Sequence, residues 1–374
     1  MNDNNKSSQD ELLETPLRRT RKNNNSHRYH NPAKRRKRIC LSLLVLVLLI
    51  FGGVGVYALN IIGHAKATID DTYSSANIKK MRDVSAILKK KKSFSILLLG
   101  TDAELGRQDT GRTDTIIVAT INPKKNKVTM LSIPRDTLVH VSGSDLIYEK
   151  INAAYHEGGV PTTIKTVQKT LDVPIDYYLL VNMDGLVKTV DAVGGVTVTP
   201  PLTFNYEDAH VTKGKKVTLN GKQALAYSRM RHEDPKGDYG RQYRQRQVIE
   251  ALLHKTLSIS SLSNYQGILK SVKANIRTDL TYNDMMTIAT NYRSTAGNIK
   301  SYTLQGENAM IDDLSYQVAP VSEKRKQANR LRHELGLADS TASFANPNNY
   351  GADVTSDYTT ATSTTTGTAT TGYY

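Results

Sequence analysis

Two carboxylates and a group of arginines are the residues of this chain whose types and spacing could do chemistry. Asp102 follows one apolar run and Asp114 opens the next in "LLLGTDAELGRQDTGRTDT". Arg229, Arg231, Arg241, Arg244 and Arg246 crowd "YSRMRHEDPKGDYGRQYRQRQ", and Arg135 stands in "SIPRDT". A planar guanidinium forks onto phosphate oxygens, and several together hold a pyrophosphate. On helical spacing Arg241, Arg244 and Gln245 share one face. Arg135, Arg229 and Arg231 fall in connections, where functional side chains gather. Two acids at neighbouring strand ends suit one Mg²⁺, which prefers one or two carboxylates, waters and substrate phosphates. Such a cation neutralises phosphate charge and polarises a leaving group. Taken singly, the arginines read as a solvated helix face and the aspartates as turn residues. Taken together they point to an anion site with a metal.

The elements that must position these groups are short strands alternating with helices. Residues 94–100 and 115–121 are runs rich in β-branched residues, and "NPKKNK" separates the second from 128–133, which predicts a hairpin. Their nearly continuous apolar character implies burial on both faces. "INAAYHEGG" and "PTTIKTVQKTL" read as helical stretches, "IDYYLLVNM" as a strand, "DGLVKTVDAVGG" as a helix ended by glycines and "VTVTP" as a strand. "NGKQALAYSRMR" and "DYGRQYRQRQVIEALLHKTL" are amphipathic helices. The pattern predicts an α/β (α+β layered) domain, a central mixed sheet flanked by helices, behind one N-terminal transmembrane helix.

Residues 1–38 are polar, with 11 basic and 4 acidic side chains, and read as a disordered cytoplasmic arm. Residues 39–62 are uncharged for 24 positions, enough to cross the membrane, and follow Lys34-Arg35-Arg36-Lys37-Arg38. The positive-inside rule then places everything beyond them outside the cell. A cleaved signal peptide is the rival reading, with a much longer apolar core than such peptides carry. Residues 63–93 read as an extracellular stalk, 94–335 as the catalytic domain, and 336–374 as a disordered Ser/Thr-rich tail. The formal net charge of +15 leaves about +8 outside the arm, which suits anionic partners. Cys40 is the sole cysteine, so thiolate catalysis in the exported domain and an intrachain disulfide are excluded. The nine histidines show no H-E-x-x-H spacing, which argues against a zinc hydrolase.

In order behind the apolar segment, "LLLGTD", "GRTDT", "SIPRDT", "KINAAY", "AYSRMRH" and "GDYGRQYRQ" resemble the LytR-CpsA-Psr family of cell-wall glycopolymer ligases, closely over 94–258 and more loosely to 335. The resemblance implies a phosphotransferase at the outer face of a Gram-positive-type membrane. It would move teichoic acid or capsular polysaccharide from a polyprenyl-pyrophosphate carrier onto peptidoglycan, at the 6-hydroxyl of N-acetylmuramic acid. It implies that Asp102 and Asp114 hold Mg²⁺. Arg135, Arg229, Arg231, Arg241 and Gln245 would grip the pyrophosphate, with Lys150 at the head group and the lipid tail in an apolar tunnel between sheet and helices. Family members often place an arginine close behind the first aspartate, whereas here Ala103 follows it, leaving Arg107 and Arg112 as the nearby candidates beside Arg244 for substrate contacts. Asp238 is open to two roles, proton acceptor for the attacking hydroxyl or cap of the following helix. Three rivals stand beside this reading: a pyrophosphatase using the same site, a membrane-tethered transcription attenuator, and a non-catalytic glycan-binding scaffold. No helix-turn-helix or aromatic-interleaved basic face appears, so nucleic acid is not an expected partner.

Overall fold

The computed structural model describes residues 72–103, 111–145, 148–258 and 274–345. The arm, the apolar segment 39–62, Arg107 and the tail beyond 345 lie outside the described residues, and among those described no helix is long and apolar enough to cross a membrane.

Six strands form the central mixed sheet. In chain order they are β1 (Phe94–Thr101), β2 (Thr113–Asn122), β3 (Lys127–Ser132), β6 (Tyr177–Asn182), β11 (Ile276–Thr278) and β12 (Ile299–Thr303). Their spatial order is β11-β6-β1-β2-β3-β12. β1, β2 and β3 form an antiparallel meander, while β6 pairs with β1 and β12 with β3 in parallel. Two-stranded ribbons complete the set: β4 (Leu138–Val139) with β5 (Glu149–Lys150), β7 (Val196–Val198) with β10 (Val217–Leu219), β8 (Phe204–Tyr206) with β9 (Ala209–Val211), and β13 (Glu307–Ile311) with β14 (Leu314–Val318). Among the described residues the α-helices are α1 (Val84–Lys89), α2 (Ala153–Leu171), α3 (Met183–Ala192), α4 (Gly221–Arg229), α5 (Gly237–Ser258), α6 (Tyr282–Asn291) and α7 (Val321–Leu335).

Period-2 alternation sends the two sets of each strand's side chains to opposite layers. Leu97, Leu99, Ile116, Val118, Leu131 and Ile133 pack against Ile164, Val167 and Leu171 of α2 and Leu331 and Leu335 of α7. On the other face Ile117, Ala119, Val128 and Met130 meet Ile87, Leu88, Leu280 and Tyr292. This is the two-faced burial expected from the apolar runs. A third cluster, with Val196, Val198, Phe204, Tyr227, Met230 and Val248, holds α4 and α5 beside the sheet. α2 contains the break expected between the two helical stretches: Gly158 and Gly159 have non-helical backbone angles inside it.

Two boundaries differ from expectation. Residues 72–93, read as part of a stalk, fold onto the sheet instead: Tyr73 bridges to Thr278, Ile87 and Leu88 are buried, and Arg82 pairs with Asp176. Lys80 and Arg82 of this segment pair with Asp279 and Asp176, far away in sequence. The tail read as disordered from 336 starts with a docked stretch, where Arg325 donates to the carbonyls of Ser340 and Ala342, and Phe344 is buried under the Arg325 guanidinium.

Candidate active site

The two aspartates sit where β1 ends and β2 begins, on paired antiparallel strands. The register runs Gly100↔Thr115 and then Thr101↔Thr113, so Asp114 is the extra residue of a β-bulge. A bulge bends its strand and re-aims a side chain, which is why bulges gather next to active sites. Asp102 comes one residue after β1, and its Oδ1 accepts the backbone N–H of Arg112 at 2.9 Å. That crossing needs Gly111, whose φ is +36°, because a Cβ there would lie 2.6 Å from Asp102 Oδ1. Arg112 itself is exposed.

Arg135 reaches the bulge from the turn after β3. Thr137 closes that turn by donating from its N–H and hydroxyl to the Pro134 carbonyl, at 3.0 and 2.6 Å. Asn152 and Ile151 then pin it through the carbonyls of Arg135 and Thr137. Arg135 Nη1 donates to Asp114 Oδ1 at 2.7 Å. Asp136, next in sequence, receives Lys150 Nζ at 3.1 Å on one oxygen and lies 3.6 Å from Arg135 Nε on the other. Burial works against the Arg135 charge, but the Asp114 hydrogen bond and the charges of Asp114, Asp136 and Asp238 outweigh it and hold its pKa above the ordinary arginine value.

The opposite wall is the first turns of α5. Arg241 is 7% exposed. Burial, aided by the nearby positive charges of Arg135 and Arg231, pulls its pKa below the ordinary value, with Asp238 and Asp114 opposing that fall. Arg135, Arg231, Arg241, Asp114 and Asp238 therefore act on one another electrostatically. Asp238 Oδ1 lies 2.5 Å from Arg241 Nη2, out of hydrogen-bonding geometry, while its Oδ2 accepts from Gln242 Nε2 at 2.6 Å. Its carboxylate is thus turned sideways to α5 residues. Arg135 Nε and Arg241 Nε and Nη2 are buried donors without a hydrogen-bond partner among the described residues. Buried donors left unmade are costly, and those of a cation more so. Their natural complement is a multivalent oxyanion.

Not every expected residue converges. Arg229 closes α4 exposed, with Nη1 3.3 Å from Glu207 of the β8–β9 turn. Gln245 is half-buried on α5. Arg244, expected among the substrate contacts, is fully enclosed: Nε donates to the Tyr227 carbonyl at 3.1 Å, Nη2 to the Met230 carbonyl, and Nη1 pairs with Asp234. It fastens the 227–234 connection that carries Arg229 and Arg231. Helical spacing alone placed it beside Arg241, but the carbonyls of that connection draw it inward. Gly240 belongs to the same lock, since a Cβ there would meet Asp234 Oδ2 at 1.9 Å. Arg246 is likewise structural, donating to Ser132 Oγ and Thr303 Oγ1, with burial pulling its pKa down to about 10. Asp136 escaped the sequence reading, although its position between Arg135 and Thr137 in a tight turn was a signal.

The donor set suits a hard divalent cation. Asp102 and Asp114 each have one carboxylate oxygen, Oδ2, outside the hydrogen bonds seen among the described residues. No group of three or more His, Cys, Asp or Glu side chains forms a metal site among the described residues. A cation here would therefore rely on two carboxylates plus ligand oxygens and water, the coordination Mg²⁺ favours.

Comparison with known proteins matches residues 58–333 to the LytR_cpsA_psr family. A curated relative from Enterococcus faecalis, named polyisoprenyl-teichoic acid–peptidoglycan teichoic acid transferase TagU, is 42% identical over 300 residues, covering 80% of this chain and 98% of its own length. A crystal structure from Enterococcus faecalis, described as a transcriptional regulator, superposes with a TM-score of 0.61 at 43% identity, covering 68% of this chain and 91% of the other. A structure described as TagT bound to LI-WTA superposes with a TM-score of 0.56 at 28% identity, covering 71% and 97%.

Proposed function

The chain belongs to the LytR-CpsA-Psr family, and from that membership and the arginine cluster we propose that it transfers a wall glycopolymer, such as teichoic acid or capsular polysaccharide, from a polyprenyl-pyrophosphate carrier onto peptidoglycan N-acetylmuramic acid. The observation that carries this reading is the cluster of Arg135 and Arg241, whose buried donors make ion contacts but no complete set of hydrogen bonds, around the bulged Asp114. Relatives named as teichoic acid transferases support the substrate class.

Phosphoryl transfer is helped mainly by positioning and by electrostatic stabilisation of the charge that develops on the phosphate oxygens. Arg135 and Arg241, held from opposite walls, would take the pyrophosphate oxygens, with Arg231 adding charge. Arg229 would join by leaving Glu207, an exchange that costs little because the pair is exposed. Lys150, anchored by Asp136, would contact the head group. Asp238 would accept the proton of the attacking hydroxyl once its carboxylate turns away from Arg241 and Gln242. A Mg²⁺ bound by Asp102 and Asp114 would neutralise phosphate charge and polarise the leaving oxygen.

On one face of β1 and β6, Ile96, Leu98, Leu179 and Val181 are half-buried although both strands are interior. Ile249, Met285 and Ile288 pack on that layer. This supports a path for the polyprenyl tail between sheet and helices. With residues 39–62 as a single-pass anchor, the arm 1–38 would be cytoplasmic and this domain extracellular.

The test incubates purified full-length chain with lipid-linked polymer and Mg²⁺, with and without peptidoglycan oligosaccharide. A polymer–oligosaccharide phosphodiester seen by mass spectrometry supports the transferase. Release of free polymer phosphate at the same rate with or without oligosaccharide would instead establish a pyrophosphatase.

A further inference from the structure

The end of the sheet remote from the arginines carries a second concentration of charge, built differently. β1 runs from Phe94 to Thr101, so its two ends are roughly 23 Å apart at about 3.3 Å per residue. At the Phe94 end a cavity of about 590 Å³ lies between α1, the β2–β3 turn and the end of α7, lined by Lys90, Lys92, Lys124 and Lys125 among others. Lys89, Lys90, Lys91, Lys92 and Lys124 are all exposed. The acids nearby are committed elsewhere. Glu334 pairs with Lys127 and Lys125, Asp176 with Arg82, and Asp339 with His333, while Asp83 caps α1. None of these five lysines has a carboxylate partner among the described residues.

A lysine at a helix C-terminus is favoured by the helix dipole, which accounts for Lys89 and Lys90. It does not account for Lys124, which comes from the β2–β3 turn. Lysines kept close together without counter-charges repel one another, an arrangement that suits a polyanionic surface. The half-buried Ile96 and Leu98 supply a direction: they lie along β1 between the arginine end and the lysine end. An apolar tail whose pyrophosphate sat among the arginines would, along that layer, run toward the lysine end. Nine residues separate Ile62 from Thr72, a tether of about 30 Å when extended.

We propose that this lysine-bearing end is a docking surface for anionic phospholipid headgroups, which sets the domain upright on the membrane so that the carrier's tail enters from the bilayer and the arginine cluster faces away from it. The route of the tail rests on the function proposed above.

The test uses the full chain with Cys40→Ser and one fluorophore, attached through Ser85→Cys on α1 or through Glu233→Cys near the arginine end; both positions are exposed. The protein is reconstituted into phosphatidylcholine vesicles with or without phosphatidylglycerol, doped with a headgroup quencher. With phosphatidylglycerol, quenching at position 85 should exceed that at 233 at least three-fold. It should fall to the phosphatidylcholine value at high salt, and in a Lys89→Gln/Lys90→Gln/Lys92→Gln/Lys124→Gln variant, since each lysine near an anionic surface strengthens attachment about five-fold. Equal quenching at the two positions, insensitivity to phosphatidylglycerol, or an unchanged variant would overturn the proposal. So would displacement by soluble polyphosphate at matched ionic strength, which would assign the cavity to a free phosphate polymer. On a short-chain, detergent-dispersed carrier the variant should turn over like the unmodified protein. If neither protein turns over, the proposed function fails while the quenching result keeps its meaning.

Discussion

Arg135 and Asp114 are joined by a 2.7 Å hydrogen bond across the start of β2, so the guanidinium closest to the bulge is aimed by the same carboxylate that is one of the two candidate metal ligands. Arg135→Lys keeps the charge but loses the fork, and a single ammonium cannot serve Asp114 and a phosphate together. Transfer should fall about 10²-fold in kcat, the usual cost of removing one preorganised donor. Steady-state kinetics with an unchanged melting temperature would check it.

Arg244→Met should act on stability first. It leaves Asp234 buried without its partner and two backbone carbonyls without their donor. Breaking one side of a buried ion pair costs about 3–5 kcal/mol, or roughly 10 °C in melting temperature for a domain of this size. Calorimetry reads this directly.

Gly240→Ala attacks the same lock from the other side, through the Cβ that would meet Asp234. Its destabilisation should be much smaller in an Asp234→Ala background, because the clashing group is then gone. A double-mutant cycle measures that coupling.

Glu207→Gln should release Arg229 from its exposed pair. Such pairs contribute at most ~1 kcal/mol, so KM for the anionic carrier should fall no more than about five-fold, with kcat unchanged. A rise in KM would mean that Glu207 orients Arg229 productively.

Acid stability should depend on Glu334. Burial pushes its carboxyl up, but the hydrogen bond and charge of Lys127, with Lys125 and Asn122, outweigh it and hold its pKa below the ordinary value of 4.5. A depressed acid pKa contributes stability at neutral pH that is lost as pH falls from about 4.5 through the folded value. Lys127→Met should lower stability at pH 7 and flatten its decline on the acid side, measured by urea denaturation at several pH values.

The meander strands were legible because their apolar runs are continuous and a polar turn separates two of them; β1 begins at the expected Phe94. The break in α2 was legible from Gly158, Gly159 and Pro161. The places of Asp102 and Asp114 at the ends of two strands were legible, but the bulge that turns Asp114 was not, because register is set by pairing and not by local sequence. Arg244 and Arg241 are both arginines three apart on one helix. Only the fold of the 227–234 connection, which offers carbonyls to one of them, separates a structural tie from a site residue. The ribbons β8–β9 and β13–β14 were not read, since three to five residues of mixed polarity carry little periodicity.

The central claim is that the buried guanidinium groups of Arg135 and Arg241 bind a diphosphate ester. A titration of full-length chain with a short-chain polyprenyl pyrophosphate in the presence of Mg²⁺, compared with Arg241→Met, tests it most directly. The account predicts affinity at least 30-fold weaker in the variant, about the loss of one to two charge-assisted hydrogen bonds. Equal affinity in the two proteins would contradict it.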